Sequence, residues 1–513
     1  MKTPEEFRND VYEKHSAQLV VRRRRKKQAL LCIPLALLIV LGSVFIPRAI
    51  QNGVVPIART GRIPRIAQVG NPVNPVDIGL FDHQSSPEEK LVKIQSDYQK
   101  RGADNGGSAP EVTEELVREL TGETKIDPEF SYSINQFAKN SSVLLQEEFG
   151  ENGCYSPLSL YYAMALTGRG AGGKTKDEFE SILYADDVWA AEQCGKFYRQ
   201  HYHDGEDSSF WLANSLWLDG RYSFGDDFIK TAEEDFYSSL FQADFSDPTL
   251  SGDMKKWVSD HTNGLLQPEF EFQKDQMLTI LNAVYYKAQW QNQFQESATA
   301  PGDFYKADGS TVTADFMHCS TNMGEVRRGN GFISASLRLK NSDEMVFVLP
   351  DEEISAQELL SDPVLFEDMF LNENVPVESG MIHWSVPKFS FDCEYDLQNT
   401  LKGLGLDRAF DEVLADFSDM GRLEMYLSET KQGVHIGIDE NGVEAAAYTE
   451  FGAEATGAAP ENVFEMDLNR PFLFAIRSHD LTVSDDTSTQ TLLFVGVCGD
   501  PTASGSGSAA AAG

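Results

Sequence analysis

The chain has 513 residues, 41% of them hydrophobic, which is enough to bury a sizeable core and still carry appendages. Its formal net charge of −37 at pH 7 opposes binding to DNA or RNA, because the phosphate backbone is itself negative. We therefore expect no nucleic-acid partner.

The N-terminal end differs from the rest of the chain. Its first 27 residues hold nine Lys or Arg against four Asp or Glu, including six consecutive basic residues at positions 22–27. Residues 29–46 are uncharged and apolar, and 18 such residues reach the lower length for a membrane-spanning helix. Because flanking basic residues favour the cytoplasmic side, this pattern predicts a cytoplasmic tail at residues 1–28, a single-pass anchor at residues 29–46 and an extracellular body.

A cleaved signal peptide is the alternative for the same segment. The apolar region of a signal peptide usually has about 7 to 15 residues and ends near a pair of small residues at a cleavage site. The apolar run here is longer and shows no convincing Ala-x-Ala pattern before Arg48, so we favour the anchor.

The composition of residues 47–126 and 502–513 predicts little tertiary structure. In residues 47–126, prolines at positions 56, 64, 72 and 75 break up the first part and residues 102–110 form a Gly-rich joint, which is typical of a stalk or linker with at most short helices. Residues 502–513 are rich in Ser, Gly and Ala, which predicts a disordered tail.

Hydrophobic periodicity between these segments predicts a mixture of helices and strands. The predicted helices cover residues 132–146, 156–166, 175–183 and 253–262, and strands dominate after residue 277. We therefore assign residues 127–501 to one domain of the α+β class.

One motif within this region points to a different kind of protein. The sequence GRGAGGKT at residues 168–175 satisfies the GxxxxGK[ST] pattern of nucleotide-binding phosphate loops. A phosphate loop should follow a buried strand, whereas residues 158–166 have the pattern of a helix. We interpret the motif as a turn between helices and keep a nucleotide hydrolase as a distant alternative.

The chain shows no other catalytic or metal-binding signature. Its nine histidines include no HExxH pair, no GxSxG elbow occurs, and the six cysteines form no CxxC pair. We expect no enzyme activity, no catalytic residues, no metal and no cofactor.

Residues 439–460, DENGVEAAAYTEFGAEATGAAP, change character between two strand-like flanks. They contain seven alanines and three glycines, and such small side chains can enter a packed sheet without overfilling it. This composition predicts a loop that can become a strand, with a flexible acidic connector as the alternative.

These residues resemble the hinge of the serpins, the serine protease inhibitors whose reactive-centre loop inserts into their own central sheet. Further segments resemble the family in order along the chain: SPLS at 156–159, LNAVYYKAQW at 281–290, WSVPKF at 384–389, LKGLGL at 401–406, ADFSDM at 415–420 and QTLLFVG at 490–496. The resemblance indicates a membrane-anchored member of bacterial type. It implies an α+β fold with three β-sheets, about nine helices and an exposed reactive-centre loop, here preceded by a transmembrane helix.

The resemblance also implies a function. A serpin of this kind is an extracellular, metastable, monomeric suicide substrate: a serine protease cleaves its loop and is trapped as an acyl-enzyme when the loop inserts as a strand. The alternative is a non-inhibitory serpin that serves as a binding module or as a protease substrate.

Site residues follow from the positions that match the family. The hinge is formed by Glu440, Gly442, Val443, Glu444, Ala445, Ala446 and Ala447. The shutter and breach, which control sheet opening, correspond to Ser156, Ser159, Asn282, Trp290 and Gln432. Gln432 stands where the family has a histidine, and glutamine can form hydrogen bonds but cannot titrate near neutral pH.

The family's usual spacing of about sixteen residues beyond Glu440 places the reactive bond at Thr456–Gly457, within a window of residues 455–459. No Lys or Arg occurs in residues 441–469, which favours elastase-like or subtilisin-like proteases with small-residue specificity. Strand alternation predicts that Val443 faces the core after insertion, whereas Glu444 faces outward and can be replaced at little cost.

Overall fold

The structure is a computed structural model that describes residues 66–70, 124–272, 276–371, 375–421, 425–427, 430–444, 462–483 and 488–503. The predicted cytoplasmic tail and anchor, most of the predicted stalk and nearly all of the predicted C-terminal tail lie outside the described residues. Among the residues it does describe, no helix combines the length and apolarity needed to cross a membrane.

Nine α-helices lie within the described ranges. They are α1 (Pro128–Leu145), α2 (Pro157–Arg169), α3 (Gly173–Ile182), α4 (Asp187–His201), α5 (Asp226–Glu234), α6 (Leu250–His261), α7 (Ala356–Leu360), α8 (Pro363–Phe366) and α9 (Gln398–Leu404). All four predicted helices are confirmed as α1, α2, α3 and α6. Their ends follow local chemistry: Ser156 caps α2 by accepting a hydrogen bond from the Ser159 amide, and Pro157 occupies the first turn, where no amide donor is needed.

The described strands form three sheets. The strands of the first sheet are β1 (Ile66–Gly70), β3 (His203–Asp204), β4 (Ser208–Asp219), β5 (Ser239–Ala243), β6 (Leu278–Gln289), β12 (Phe389–Asp396), β13 (Lys431–Ile438) and β14 (Gly442–Val443). Their order is β1-β5-β4-β6-β14-β13-β12, with β3 paired to β4. We call this eight-stranded sheet the central sheet.

The second sheet has nine strands. They are β2 (Asn152–Tyr155), β7 (Ala300–Tyr305), β8 (Thr311–Gly329), β9 (Phe332–Arg338), β10 (Glu344–Pro350), β11 (Val377–Pro387), β15 (Val463–Asp467), β16 (Phe472–Arg477) and β19 (Leu492–Cys498). Their order is β15-β11-β8-β9-β10-β16-β19-β2, with β7 paired to β8. The third sheet contains β17 (Asp480–Leu481) and β18 (Ser488–Thr489). The α+β class, three sheets and about nine helices are thus confirmed.

The two faces of the central sheet are covered differently. Helix α2 lies in the main core, and its residues 157–168 are all buried, as expected for a helix that is largely apolar around its whole circumference. On the opposite, outer face, Met254 and Trp257 of α6 join a smaller apolar cluster with Leu281 and Ala283 of β6. Side chains that alternate along β6 therefore reach two separate environments.

Strand β1 departs from the sequence prediction. Residues 66–70 fall in the predicted stalk, yet they pair antiparallel with β5 at the edge of the central sheet, with Ile66 opposite Ala243 and Gly70 opposite Leu240. This short segment lies between the prolines at positions 64 and 72, so it can extend and use the ladder positions that β5 offers. The domain therefore includes residues that precede its predicted boundary at residue 127.

The phosphate-loop motif is a structural turn, as the sequence analysis favours. It joins two helices, α2 and α3, whereas a nucleotide-binding loop follows a strand. The backbone amide of Gly172 donates to the Asp416 carbonyl oxygen at 2.9 Å, and the Asp416 amide donates to Thr175 Oγ1 at 3.0 Å. A Cβ atom at Gly172 would lie 2.8 Å from the Asp416 carboxylate, so an acidic side chain lies directly against the turn.

Candidate functional site

The first residues of the hinge are already part of the central sheet. Strand β14 pairs antiparallel with β6 on one side, where Gly442 faces Gln289 and Val443 faces Ala288. On its other side, Val443 pairs antiparallel with Ile438 of β13. Because β14 is antiparallel to both neighbours, β6 and β13 run parallel to each other, and in the described sheet they are joined through β14.

A tight turn brings the hinge into this position. Asp439 Oδ1 accepts hydrogen bonds from the amides of Asn441 at 2.7 Å and Gly442 at 3.2 Å, and the Asp439 amide donates to the Gly442 carbonyl oxygen at 3.0 Å. Gly442 approaches β6 so closely that a Cβ atom would lie 2.1 Å from the Ala288 carbonyl oxygen. The close approach therefore requires glycine at this position.

Trp290 holds the turn at residues 439–442 through two hydrogen bonds. Its side chain is almost fully buried, and its indole Nε1 donates to the Asp439 carbonyl oxygen at 2.8 Å. Its backbone amide donates to the Asn441 carbonyl oxygen at 2.8 Å, and the Phe294 amide donates to the Glu440 carbonyl oxygen at 3.0 Å. The carbonyls of three consecutive residues, 439–441, are thus bound by Trp290 and Phe294 in the chain that continues from β6.

Glu440 anchors the hinge through its side chain. Its carboxylate lies 2.9 Å from Lys388 Nζ and accepts a hydrogen bond from Thr299 Oγ1 at 2.8 Å. Burial alone would raise the pKa of Glu440, but the bonds from Lys388 and Thr299 outweigh it and lower the pKa below its ordinary value. Neither partner is predicted from the sequence, although Lys388 lies within the WSVPKF segment and carries the charge opposite to that of Glu440.

Val443 and Glu444 occupy opposite faces, as strand alternation predicts. Val443 is 1% exposed and belongs to the main core, whereas the Glu444 side chain contacts His435 on the outer face. The expected low cost of replacing Glu444 does not hold, because its side chain is only 9% exposed and its Oε1 lies 2.8 Å from His435 Nε2. A buried ion pair is strongly disturbed by removal of either partner. This role of His435 is not predicted from the sequence.

The shutter residue Gln432 is bonded to the backbone of Ser156. Gln432 Oε1 accepts from the Ser156 amide at 2.9 Å, and its Nε2 donates to the Ser156 carbonyl oxygen at 3.0 Å. The hydroxyl of Ser156 donates in turn to the Leu493 carbonyl oxygen at 2.7 Å. Strand β13 of the central sheet is therefore tied to the start of α2 and to β19 of the second sheet.

Asn282 extends the same cluster on β6. Its side-chain oxygen accepts a hydrogen bond from the Ser159 hydroxyl, and its Nδ2 donates to Asn214 Oδ1 on β4 at 2.5 Å. Ser159 is completely buried, so these bonds lie in the core below the sheet. Ser156, Ser159, Asn282 and Gln432 are thus brought together as the sequence analysis expects, and Asn214 is an addition to them.

The remaining predicted loop residues lie outside the described part of the chain. These are Ala445, Ala446 and Ala447 of the hinge and Thr456 and Gly457 of the predicted reactive bond. In the ranges that are described, no group of three or more His, Cys, Asp or Glu side chains is arranged to hold a metal ion.

Comparisons with known proteins agree with this geometry. Residues 132–501 match the family model described as serpin (serine protease inhibitor). Serpin-ZX from Arabidopsis thaliana is 28% identical over 393 residues, which cover 72% of this chain and 97% of that protein. Among solved structures, the native state of the thermophilic serpin tengpin is 27% identical with a TM-score of 0.64, covering 74% of this chain and 96% of tengpin.

Human thyroxine-binding globulin complexed with its ligand is also similar in fold. It is 22% identical with a TM-score of 0.63 and covers 73% of this chain and 99% of the globulin. A fold shared at this identity shows architecture alone.

The match over residues 132–501 defines the class of the protein, and the chain belongs to the serpin family. The family consists in general of protease inhibitors rather than enzymes.

The first prediction concerns the shutter. Gln432→Ala removes two hydrogen bonds and leaves the amide and carbonyl of Ser156 buried without these partners, which should cost about 2–4 kcal/mol of stability. The thermal midpoint of the uncleaved protein should fall by several degrees. Gln295→Ala is the matched control, because Gln295 is exposed and should leave the midpoint unchanged. Equal midpoints for the two variants would contradict a structural role for Gln432.

Proposed function

We propose that this protein is an extracellular inhibitor of serine proteases that acts as a suicide substrate. A target protease attacks the loop as a substrate and forms an acyl-enzyme through its catalytic serine. The freed loop then continues β14 as a new strand between β6 and β13 and displaces the protease before the acyl bond is hydrolysed. The observation that carries this proposal is the position of β14, which already forms the first rungs of such a strand.

The register of β14 supports insertion along the length of β6. Continuing the pairing of Val443 with Ala288 brings residue 453 opposite Leu278, so the 12 residues of β6 offer partners to residues 442–453. A strand from residue 443 to residue 456 spans roughly 46 Å at about 3.3 Å per residue. That distance would carry a protease bound at the predicted reactive bond across the domain.

The free energy of insertion can be bounded from the same geometry. If the new strand gains about ten ladder hydrogen bonds at about 1 kcal/mol each, insertion releases on the order of 10 kcal/mol. This equals the whole stability of an ordinary domain. We therefore propose that the uncleaved protein is metastable and that kinetic barriers, including the shutter bonds, hold it in its native state.

The second prediction tests inhibition directly. The full chain in mild detergent, incubated with pancreatic elastase, should form an adduct that resists SDS, because residues 455–459 are all small. Trypsin is the control and should form none through this window, because residues 441–469 contain no Lys or Arg. Elastase cleavage of the loop without an adduct would instead support a non-inhibitory serpin.

The third prediction concerns stability after cleavage. A single cut within residues 455–459 should raise the thermal midpoint sharply, because the inserted strand adds ladder bonds and core contacts. Scanning calorimetry of cut and uncut protein provides the measurement. An unchanged or lower midpoint after a clean cut would argue against insertion.

The fourth prediction tests insertion at one residue. Val443 is already buried in the main core of the uncleaved protein, so Val443→Arg should displace β14 from the sheet. The cleaved loop would then have to bury this charge at a cost of about 3–5 kcal/mol, which should slow insertion and convert an inhibitor into a substrate. Gel analysis with elastase should then show more cut loop and less adduct. Glu450→Arg is the control, because strand alternation assigns residue 450 to the outward face. Equal adduct yields from the two variants would contradict ordered insertion.

We also propose that residues 29–46 anchor the protein in the cell membrane with residues 1–28 in the cytoplasm. The support is the uncharged apolar run and the basic residues at positions 22–27. The protein would thereby present its loop to proteases outside the cell.

The fifth prediction tests this topology. Protease added to intact cells should cut within residues 439–460, whereas a tag at Met1 should stay protected. A mature N-terminus close to Arg48, found in the culture medium, would identify the apolar segment as a cleaved signal peptide.

A further inference from the structure

Three titratable side chains meet on the outer face of the central sheet where the hinge leaves it. His435 of β13 lies between them, with its Nδ1 2.5 Å from Asp392 Oδ1 of β12 and its Nε2 2.8 Å from Glu444 Oε1. The side chains of His435 and Glu444 are 18% and 9% exposed. The imidazole thus connects the hinge to two neighbouring strands across the sheet surface.

The backbone pairing of the hinge with β13 ends at Glu444. Its amide donates to the Gly437 carbonyl oxygen at 3.1 Å, which continues the pairing of β14 with β13 by one residue. Its φ angle is 51°, in the left-handed region that non-glycine residues seldom adopt. The chain therefore turns away from the extended strand conformation at the residue that His435 contacts. Residues 442–444 are paired with the neighbouring strands up to this point, and we call this pairing the seating of the hinge.

The other charged and titratable groups around the pair do not replace His435. Lys287 of β6 is opposite Glu444 in the register of β14, but its Nζ donates to the Glu206 carbonyl oxygen at 3.1 Å. Tyr285 of β6 is on the same face, and the charges of Glu444 and of Asp204 of β3 raise its pKa further than burial alone does. Among the residues that the structure describes around this pair, the cationic group in close contact with Glu444 is therefore His435.

The charge states of the pair follow from its surroundings. Burial alone would lower the pKa of His435, but the hydrogen bonds and negative charges of Glu444 and Asp392 outweigh it and raise the pKa to about 9. Burial raises the pKa of Glu444, and the contact with His435 only partly offsets this rise. At neutral pH the imidazole is therefore protonated and carries a positive charge beside the two carboxyl groups.

We propose that His435 is a pH-sensitive latch for the hinge: when protonated it bridges Asp392 and Glu444 and keeps residues 442–444 seated in the sheet, and when it loses its proton it releases them. The seating belongs to the uncleaved chain and does not depend on whether the protein inhibits a protease. The latch thus goes beyond the proposed function and would set how much of the inserting strand is formed before any protease arrives.

The direction of the pH dependence follows from the raised pKa. A histidine whose pKa is higher in the folded state stabilises that state fully below its ordinary value near 6.5, and this stabilisation is lost as pH rises to about 9. Glu444 also has a raised pKa in this arrangement, so its protonation as pH falls favours the folded state as well. Seating should therefore weaken as pH rises from about 6.5 to about 9.

Hydrogen–deuterium exchange of the full chain tests the latch. The amides of Glu444 and Trp290 report on seating, because they donate to Gly437 and Asn441 across the hinge contacts. At pH 7.5, His435→Gln and Glu444→Gln should each speed exchange of these amides by about tenfold or more. The double variant should be no faster than either single variant, because both remove the same interaction.

Two further variants separate the latch from general damage to the sheet. His435→Lys keeps a positive charge at this position and should restore slow exchange up to a higher pH than in the natural protein. Glu394→Gln removes an exposed carboxylate from the same strand and face as Asp392 and should leave exchange unchanged. In the natural protein, exchange corrected for its intrinsic pH dependence should speed up between pH 7 and pH 9.5.

Two outcomes would contradict the proposed latch. Slow exchange in folded Glu444→Gln or His435→Gln, at the rate of the natural protein, would overturn the latch. Exchange in His435→Lys as fast as in His435→Gln would overturn the role of charge. Because no protease takes part, a failure of the elastase experiment would leave this test unaffected.

Discussion

The fold depends on two parallel strands, β6 and β13, that are joined through the two residues of β14. Backbone donors and acceptors in a sheet require partners, so a longer segment that continues β14 would find a ladder on both of its sides. The surrounding contacts stabilise the region around β14. Trp290 and Glu440 hold the turn that leads into β14, and Gln432 and Asn282 tie the flanking strands β13 and β6 to the core.

The seated hinge is held by ion pairs on both sides of its short strand. Lys388 contacts Glu440 before Gly442, and His435 contacts Glu444 after Val443. These contacts are of different kinds, because a lysine keeps its charge through the physiological range whereas a histidine does not. The first contact is a permanent anchor for the turn, and the second can respond to protons.

The glutamine in the shutter has a related consequence. Gln432 forms two hydrogen bonds with the backbone of Ser156, so the core side of β13 is closed by a group that does not titrate near neutral pH. His435 is three residues further along the same strand and therefore lies on the opposite face. Strand β13 thus has hydrogen bonds on its core face that do not depend on pH near neutrality and a titratable contact on its outer face.

The sequence by itself determined the family, the α+β class, the four predicted helices and the opposite faces of Val443 and Glu444. These features depend on local periodicity and on ordered motifs, which a single chain displays directly. Only the tertiary structure decided that residues 66–70 join the sheet, that Lys388 and Thr299 anchor Glu440, and that His435 contacts Glu444. Each of these pairings joins residues on different strands or loops, and strand order and register, which set those distances, are not encoded in the spacing of residues along one segment.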